Sequence, residues 1–310
     1  MVFPPAATLF PAAPAAWLRI SGIDSAAFLQ GQFSQDLRGL VPGIPGRGSA
    51  AAYGLWLSHR GRVLADSFIL AGAAADEFWV GSTQCPGTLI RERLERFIIA
   101  DDVTVEDRTG EVEGLALVGP GSGDWLAAEP RDGWFFPGRR SAGENWQWVF
   151  PRSAALAPAG EPKAWAGARL GTATELEHLR LVAGIPAVPA DVGPADLPHE
   201  GGLDAAAISY TKGCYVGQEV MARVKATGRI RRRLVRVRGP SPPPPLPAAL
   251  WRDGWQAGEV RSASVMPGEA GFLGLALVSV AGAEPAGPWA WSDGGDAVVE
   301  AVGAARVGLR

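Results

Sequence analysis

Glycine and proline break this chain so often that an all-helical fold is excluded. The 310 residues include Gly 41 and Pro 26, and both types punctuate short elements and turns. Between the breaks lie apolar runs of strand length. Residues 17–20, 50–57, 62–70, 78–80, 103–105, 113–118 and 146–150 read as strands, with a hairpin turn at His59-Arg60-Gly61. Three segments have helical spacing. Asp24 heads one through Phe28 and Leu29 that Gly31 ends or interrupts. Pro86 starts one carrying Leu89, Ile90, Leu94, Phe97 and Ile98. Thr172 or Thr174 caps one carrying Leu176, Leu179, Val182 and Ala183. Residues 1–16 read as loosely held. After a Pro-rich run at 239–245, strands at 258–260, 274–278, 289–291 and 297–299 suggest a small barrel or sandwich.

The length allows two or three modules, each with its own core. A Pro/Gly segment at 41–48 marks a crossing between modules, and 239–245 marks a stiff linker. The expected division is a discontinuous α+β domain over 1–48 and 112–238, an inserted α+β domain over 49–111, and a β-barrel over 246–310. Twelve Trp read as core and pocket walls.

A net charge of −3 does not suit a general nucleic-acid or membrane-surface binder. The charge is uneven, with eight basic residues and no acidic one over 223–238. Two cysteines and three histidines supply neither a disulfide framework nor a metal centre, so no metal site is expected. The start of the chain lacks the basic, then apolar pattern of a signal peptide, and no run is long enough to span a membrane. The expectation is a cytoplasmic protein.

One stretch gathers the reactive chemistry: Lys212-Gly213-Cys214-Tyr215-Val216-Gly217-Gln218-Glu219. Val216, Val220 and Val224 recur every four residues, which predicts a helix from about Tyr215 or Val216 that ends by Gly228. Cys214 then sits at a helix N-terminus beside Lys212, where a thiolate is favoured. A buried, inert cysteine is the other reading. Glu219 serves either the helix dipole or a ligand. Glu200, in a Pro/Gly loop over 185–203 too long for a simple connector, either binds a donor pair of a pterin-like ring or is a solvated charge. Arg223, Arg229 and their neighbours either hold an anionic tail or form a solvated face.

At these residues the sequence resembles the YgfZ-type folate-binding proteins, relatives of the glycine-cleavage aminomethyltransferase (T-protein). The stretch 212–219 matches their KGCYxGQE signature in full. Phe28-Leu29-Gln30-Gly31-Gln32, residues 179–186, Leu197-Pro198-His199-Glu200, Ile208-Ser209-Tyr210, residues 228–234 and residues 271–276 extend the resemblance over essentially the whole chain. It implies an α+β fold of three modules in a T-protein-like cloverleaf around a central folate channel, closed by a C-terminal β-barrel. It implies tetrahydrofolate or a folate derivative as cofactor. Iron–sulfur proteins or cluster-assembly factors are the implied partners, with an effect on tRNA modification through cluster-dependent enzymes; direct tRNA contact is disfavoured by the acidic balance.

The resemblance assigns Cys214 as the functional thiol at the mouth of the channel and Asp66 as the second reactive group. Glu200, Lys212, Tyr215, Gln218, Glu219, Arg223 and Arg229 are the expected folate-binding residues. The alternative function is a folate-dependent aminomethyl- or methyltransferase of the T-protein type. Two departures weigh against it. The paired Asp-Asp of those enzymes is reduced to Asp66 in the segment 61–66, and they lack the Cys-Tyr pair found here.

Overall fold

The computed structural model describes residues 4, 6–41, 49–128, 132–154, 168–280 and 287–302. Its first two strands part company. β1 (Thr8–Pro11) runs antiparallel to β7 (Val112–Val118) and parallel to β10 (Arg169–Leu170). With β9 (Asn145–Pro151) and β8 (Trp134–Pro137) they make a sheet of order β10-β1-β7-β9-β8. β2 (Ala16–Ser21) instead lies between β5 (Glu77–Ser82) and β6 (Thr104–Asp107). The hairpin β3 (Ala51–Leu57) and β4 (Val63–Ala71) completes a second sheet, order β3-β4-β5-β2-β6.

Two expectations are corrected by these pairings. Residues 1–16 are not loose as a whole, because β1 is a sheet member with Ala7, Leu9 and Phe10 buried. The inserted sheet does not begin at residue 49, because β2 belongs to it. Alternation identifies a strand but says nothing of its partner, and Trp17 decides the matter by packing. Its indole is fully buried and stacks on Trp79 at 5.7 Å and on Phe136 at 6.4 Å. The crossing expected at 41–48 lies, beyond Val41, outside the described residues.

The two sheets meet face to face through Phe68 and Leu70 of β4 and Val112, Phe136 and Val149 of the first sheet. The far side of the second sheet is covered by α1 (Ser25–Gln32), α2 (Gly87–Glu95) and the segment from Val188 to Met221, which includes α5 (Asp204–Ala207); these bury Phe28, Leu29, Ile90 and Leu94 against Val63, Ala65 and Ile69. Gly31 falls inside α1 rather than ending it, and α2 stops at Glu95, before Phe97 and Ile98. The far side of the first sheet carries α3 (Ser122–Ala127), which brings Trp125 and Leu126 against Leu115 and Leu117. α4 (Ala173–Val182) begins with a capping box between Thr172 and Glu175, as its sequence predicts.

The barrel is closed in the order β11-β14-β13-β12-β15-β16, from β11 (Arg232–Gly239), β12 (Ala248–Arg252), β13 (Trp255–Ser264), β14 (Phe272–Ser279), β15 (Trp289–Ala290) and β16 (Ala297–Ala301). It therefore starts at Arg232, not at 246. The Pro-rich run joins two barrel strands instead of linking domains. Val237, buried within the barrel core, shows why: β11 supplies one wall of that core.

An ionic clamp ties the barrel to the rest. Asp191, fully buried, accepts from Arg180 of α4 at 2.7 Å, from the Ala187 amide at 2.8 Å and from Ser262 of β13 at 2.5 Å. Asp196 accepts from Arg261 at 2.5 Å and pairs with Arg232 at 2.9 Å. Asp191→Ala takes one acceptor from the Ala187 amide, Ser262 and Arg180 together, while Arg180 keeps Glu177, and is expected to lower the unfolding free energy by about 3 kcal/mol, read from urea denaturation. A change under about 1 kcal/mol would mean the clamp behaves as a surface pair.

Candidate functional site

The signature stretch is built onto the end of α1. That helix has no basic residue in its last turn, so its C-terminal carbonyls need donors from elsewhere. Lys212 supplies them from 177 to 182 residues away. Its ammonium, with three hydrogens to give, donates to Gln30 O at 2.7 Å, Phe33 O at 2.6 Å and Gln35 O at 2.9 Å. The residue is 5% exposed, and burial pulls its pKa down to about 8. Two further main-chain bonds, Ser209 N to Ser34 O at 2.9 Å and Val216 N to Gly31 O at 3.2 Å, stitch the same segments together. The Tyr215 ring is buried in the same core, with Lys212 Nζ 5.2 Å from its centroid. Its hydroxyl is buried without a partner, and burial raises its pKa to about 12.

Cys214 stands out from this brace into solvent. It is not at a helix N-terminus. α6 (Gln218–Thr227) starts four residues later, because Gly217 turns the chain with φ +87°. A Cβ at that position would meet Ser58 O at 2.8 Å, so glycine is required both by conformation and by the close approach of the β3–β4 turn. The dipole argument for a thiolate at Cys214 falls with that geometry, and the reading of a buried cysteine falls with its exposure.

Asp66 occupies a different place. In β4, Val63, Ala65 and Ile69 face the α1 side, whereas Phe68 and Leu70 face the first sheet. Strand alternation puts Asp66 with the second set. Asp66 and the signature core are thus on opposite faces of one sheet. Its carboxyl accepts from Tyr53 Oη at 2.9 Å and Ser82 Oγ at 3.2 Å. Cys85 Sγ lies 3.5 Å away and 3.1 Å from Val188 O. Burial raises the pKa of Asp66, against the pull of these hydrogen bonds, and pushes the Cys85 thiol up to about 12.

A small cavity lies beside Asp66, walled by Tyr53 and Phe68 and by Arg139 and Arg140 from the β8–β9 turn. The Arg139 guanidinium sits 4.0 Å from the Tyr53 ring centroid, and Arg140 Nε is buried without a partner. Two adjacent arginines in a turn after Pro137 and Gly138 were the available signal for this wall; nothing in the local sequence marks Tyr53 or Cys85.

None of the seven expected folate-binding residues lines this cavity. Glu200 is committed elsewhere. Its carboxylate caps its own helical turn through Leu197 N at 2.8 Å and takes Arg232 at 3.0 and 3.1 Å. Lys212 and Tyr215 are committed to the brace. Gln218, Glu219, Arg223 and Arg229 ride on α6 or just beyond it, the last three exposed.

The arrangement matches known proteins over most of its length. Residues 5–132 match the GCVT N-terminal domain family. The human "Iron-sulfur cluster assembly factor IBA57, mitochondrial" is 30% identical over 297 residues, covering 86% of this chain and 79% of that protein. The chain belongs to the IBA57 family of GCVT-domain proteins. The mouse IBA57 is 31% identical over 284 residues, covering 85% of this chain and 75% of its own. Both relatives are described as mitochondrial, whereas the sequence led to a cytoplasmic expectation. The fold is that of the glycine cleavage system aminomethyltransferase T from Bartonella henselae, with a TM-score of 0.76 over 96% of this chain and 85% of that one, at 20% identity. No helix among the described residues is long and apolar enough to cross a membrane.

Two outcomes are expected from this geometry. Lys212→Met leaves three carbonyls without their donor and should lower stability by about 3 kcal/mol, measured by urea denaturation. For Asp66, the folded carboxyl keeps its proton to higher pH than the unfolded one. Its contribution is complete below the unfolded value and is lost as pH rises through the folded value. Wild type should therefore lose stability relative to Asp66→Asn as pH rises from about 4 toward 7, read from urea midpoints across a pH series. A constant difference would show an unshifted carboxyl.

Proposed function

We propose that this protein is a folate-binding accessory factor in iron–sulfur cluster assembly or repair, of the YgfZ type, with Cys214 as its functional thiol. The observation that carries the reading is the likeness to IBA57 over 86% of the chain, joined to an exposed cysteine on a braced loop. One cysteine cannot hold a cluster alone, since clusters take four protein ligands. Cys214 therefore acts together with thiols of a cluster-carrying partner. An effect on tRNA modification follows through enzymes that depend on such clusters.

The chemistry around Asp66 suits a folate ring, although the closed cavity has room for only one water, about 20 Å³, and must open to admit the ring. Its walls are aromatic, its carboxyl can pair with ring nitrogens, and the unpartnered Arg140 Nε is a donor awaiting an acceptor. Asp66 and Tyr53 would hold the ring, and Arg139 and Arg140 an anionic tail. When bound, tetrahydrofolate supplies nitrogens that carry one-carbon units. The second reading, a one-carbon transferase of the T-protein type, is favoured by the buried, proton-retaining Asp66, which suits acid–base work at such a nitrogen.

Titration calorimetry with tetrahydrofolate separates the parts. Binding should weaken at least about tenfold, or about 1.4 kcal/mol, in Asp66→Asn and stay unchanged in Cys214→Ala. Cys214→Ala should nonetheless fail to restore activity of iron–sulfur enzymes in cells lacking the protein. Full restoration would remove the thiol role, and turnover of aminomethyl donors by purified protein would favour the transferase.

A further inference from the structure

Around the β3–β4 turn an open groove of about 630 Å³ is lined by His59, Arg60, Arg62 and Arg223, with Leu64 and Val220 among its apolar lining and no carboxylate on it. Arg60 and Arg223 are exposed, and neither side chain has an acidic partner among the described residues. This concentration of positive charge stands out on a chain of net charge −3.

The turn that carries the groove approaches the segment of Cys214. A Cβ on Gly217 would lie 3.4 Å from Gly61 Cα in the groove's own turn. Cys214 is three residues away, a span that cannot exceed about 11 Å. At low salt the Debye length reaches about 30 Å, well beyond that span, so the groove's field acts on the thiol there and is screened as salt rises.

Buried charge reinforces the field from beneath. Arg93 of α2 is 7% exposed and has no carboxylate partner among the described residues. It donates to Leu57 O at 3.2 Å, at the base of the turn, and to Gln32 Oε1 at 2.9 Å. Its Nε has no acceptor at all. Its guanidinium lies 4.9 Å from the centroid of Phe97, whose ring is 6.0 Å from His59 in the groove. Lys212 adds a second buried cation held by carbonyls rather than by an acid. A folded chain rarely buries cations without counter-charge, and here the two flank the surface that carries Cys214. Glu219, exposed on the first turn of α6, is the nearest acid in sequence.

We infer that the groove is a docking site for an acidic segment of a protein partner, which it seats beside Cys214. The inference rests on the reading of Cys214 as a thiol that meets a partner protein, and it names the chemistry of that partner's contact surface: carboxylates facing Arg60 and Arg223, since Arg62 already pairs with Glu200 at 3.9 Å.

The thiol reports the field. The dianionic disulfide dithiobis(nitrobenzoate) and the neutral dithiodipyridine are compared by their rates with Cys214 and with N-acetylcysteinamide. Cys85 is buried and does not compete. At low salt the anionic-to-neutral rate ratio at Cys214 should exceed that of the model thiol about tenfold, and it should collapse in high salt. In R60E/R223E it should drop to the model value or below, and in R60Q/R223Q to an intermediate value. Both pairs are exposed, and an unchanged urea unfolding midpoint certifies the fold independently. A Glu-rich decapeptide should slow alkylation of Cys214 in wild type and not in R60E/R223E. A ratio equal to that of the model thiol, or unchanged in R60E/R223E, overturns the inference, as does a peptide without effect. Salt-sensitive dimerisation abolished by R60E/R223E would identify a second copy as the occupant and overturn it too. None of these results depends on whether Cys214→Ala restores activity in cells, so failure of the functional reading shows up separately.

Discussion

The ammonium of Lys212 takes the place that main-chain donors fill elsewhere. A helix end buried under other chain segments needs hydrogen bonds for its last carbonyls, and α1 has no basic side chain in its last turn to supply them. Bringing a lysine from the other half of the chain solves that problem and fixes the position of residues 212–216 against 30–35. Everything nearby inherits the constraint. Tyr215 is seated in the core, Gly217 meets the β3–β4 turn, α6 starts where that turn allows, and Cys214 is left exposed on an immobilised segment. Such fixed placement is what a thiol needs if it is to meet a partner at defined geometry, since positioning is set before the encounter.

The second sheet separates two chemistries. One face holds the signature brace; the other holds Asp66, whose neighbours make it a proton-retaining group in an aromatic and cationic cavity. Cys214 and Asp66 thus act from opposite faces of that sheet. The loop 185–203 touches both sides, its Val188 carbonyl meeting Cys85 on the cavity side while Asp191 and Asp196 grip the barrel. The clamp makes that loop structural: its prolines set its course and its buried acids lock it between α4 and β13.

How much of this was legible in the residues varies with the range of the interaction. Local elements were: the hairpin around His59-Arg60-Gly61, the capped helix after Thr172, the helix after Pro86 and the strands of the barrel follow from alternation, capping and turn chemistry. The boundaries between modules were not. β2 and β11 look like any alternating run, and only the partners available to Trp17 and Val237 assign them to their sheets. The arginines of the cavity wall and the groove come from sequence positions that nothing links until the chain is folded.

By itself the sequence determined that this chain is an α+β protein with a terminal barrel, and that residues 212–219 form its distinctive feature, because periodicity, glycine placement and an eight-residue signature are properties of the linear order. Only the tertiary structure decided what each member of that stretch does. Lys212 became a brace, Tyr215 a core residue, Gly217 a docking point and Cys214 an exposed thiol on a fixed segment. The reason is that a buried carbonyl, a close backbone approach and a sheet face are set by neighbours far away in sequence, which residue spacing cannot encode.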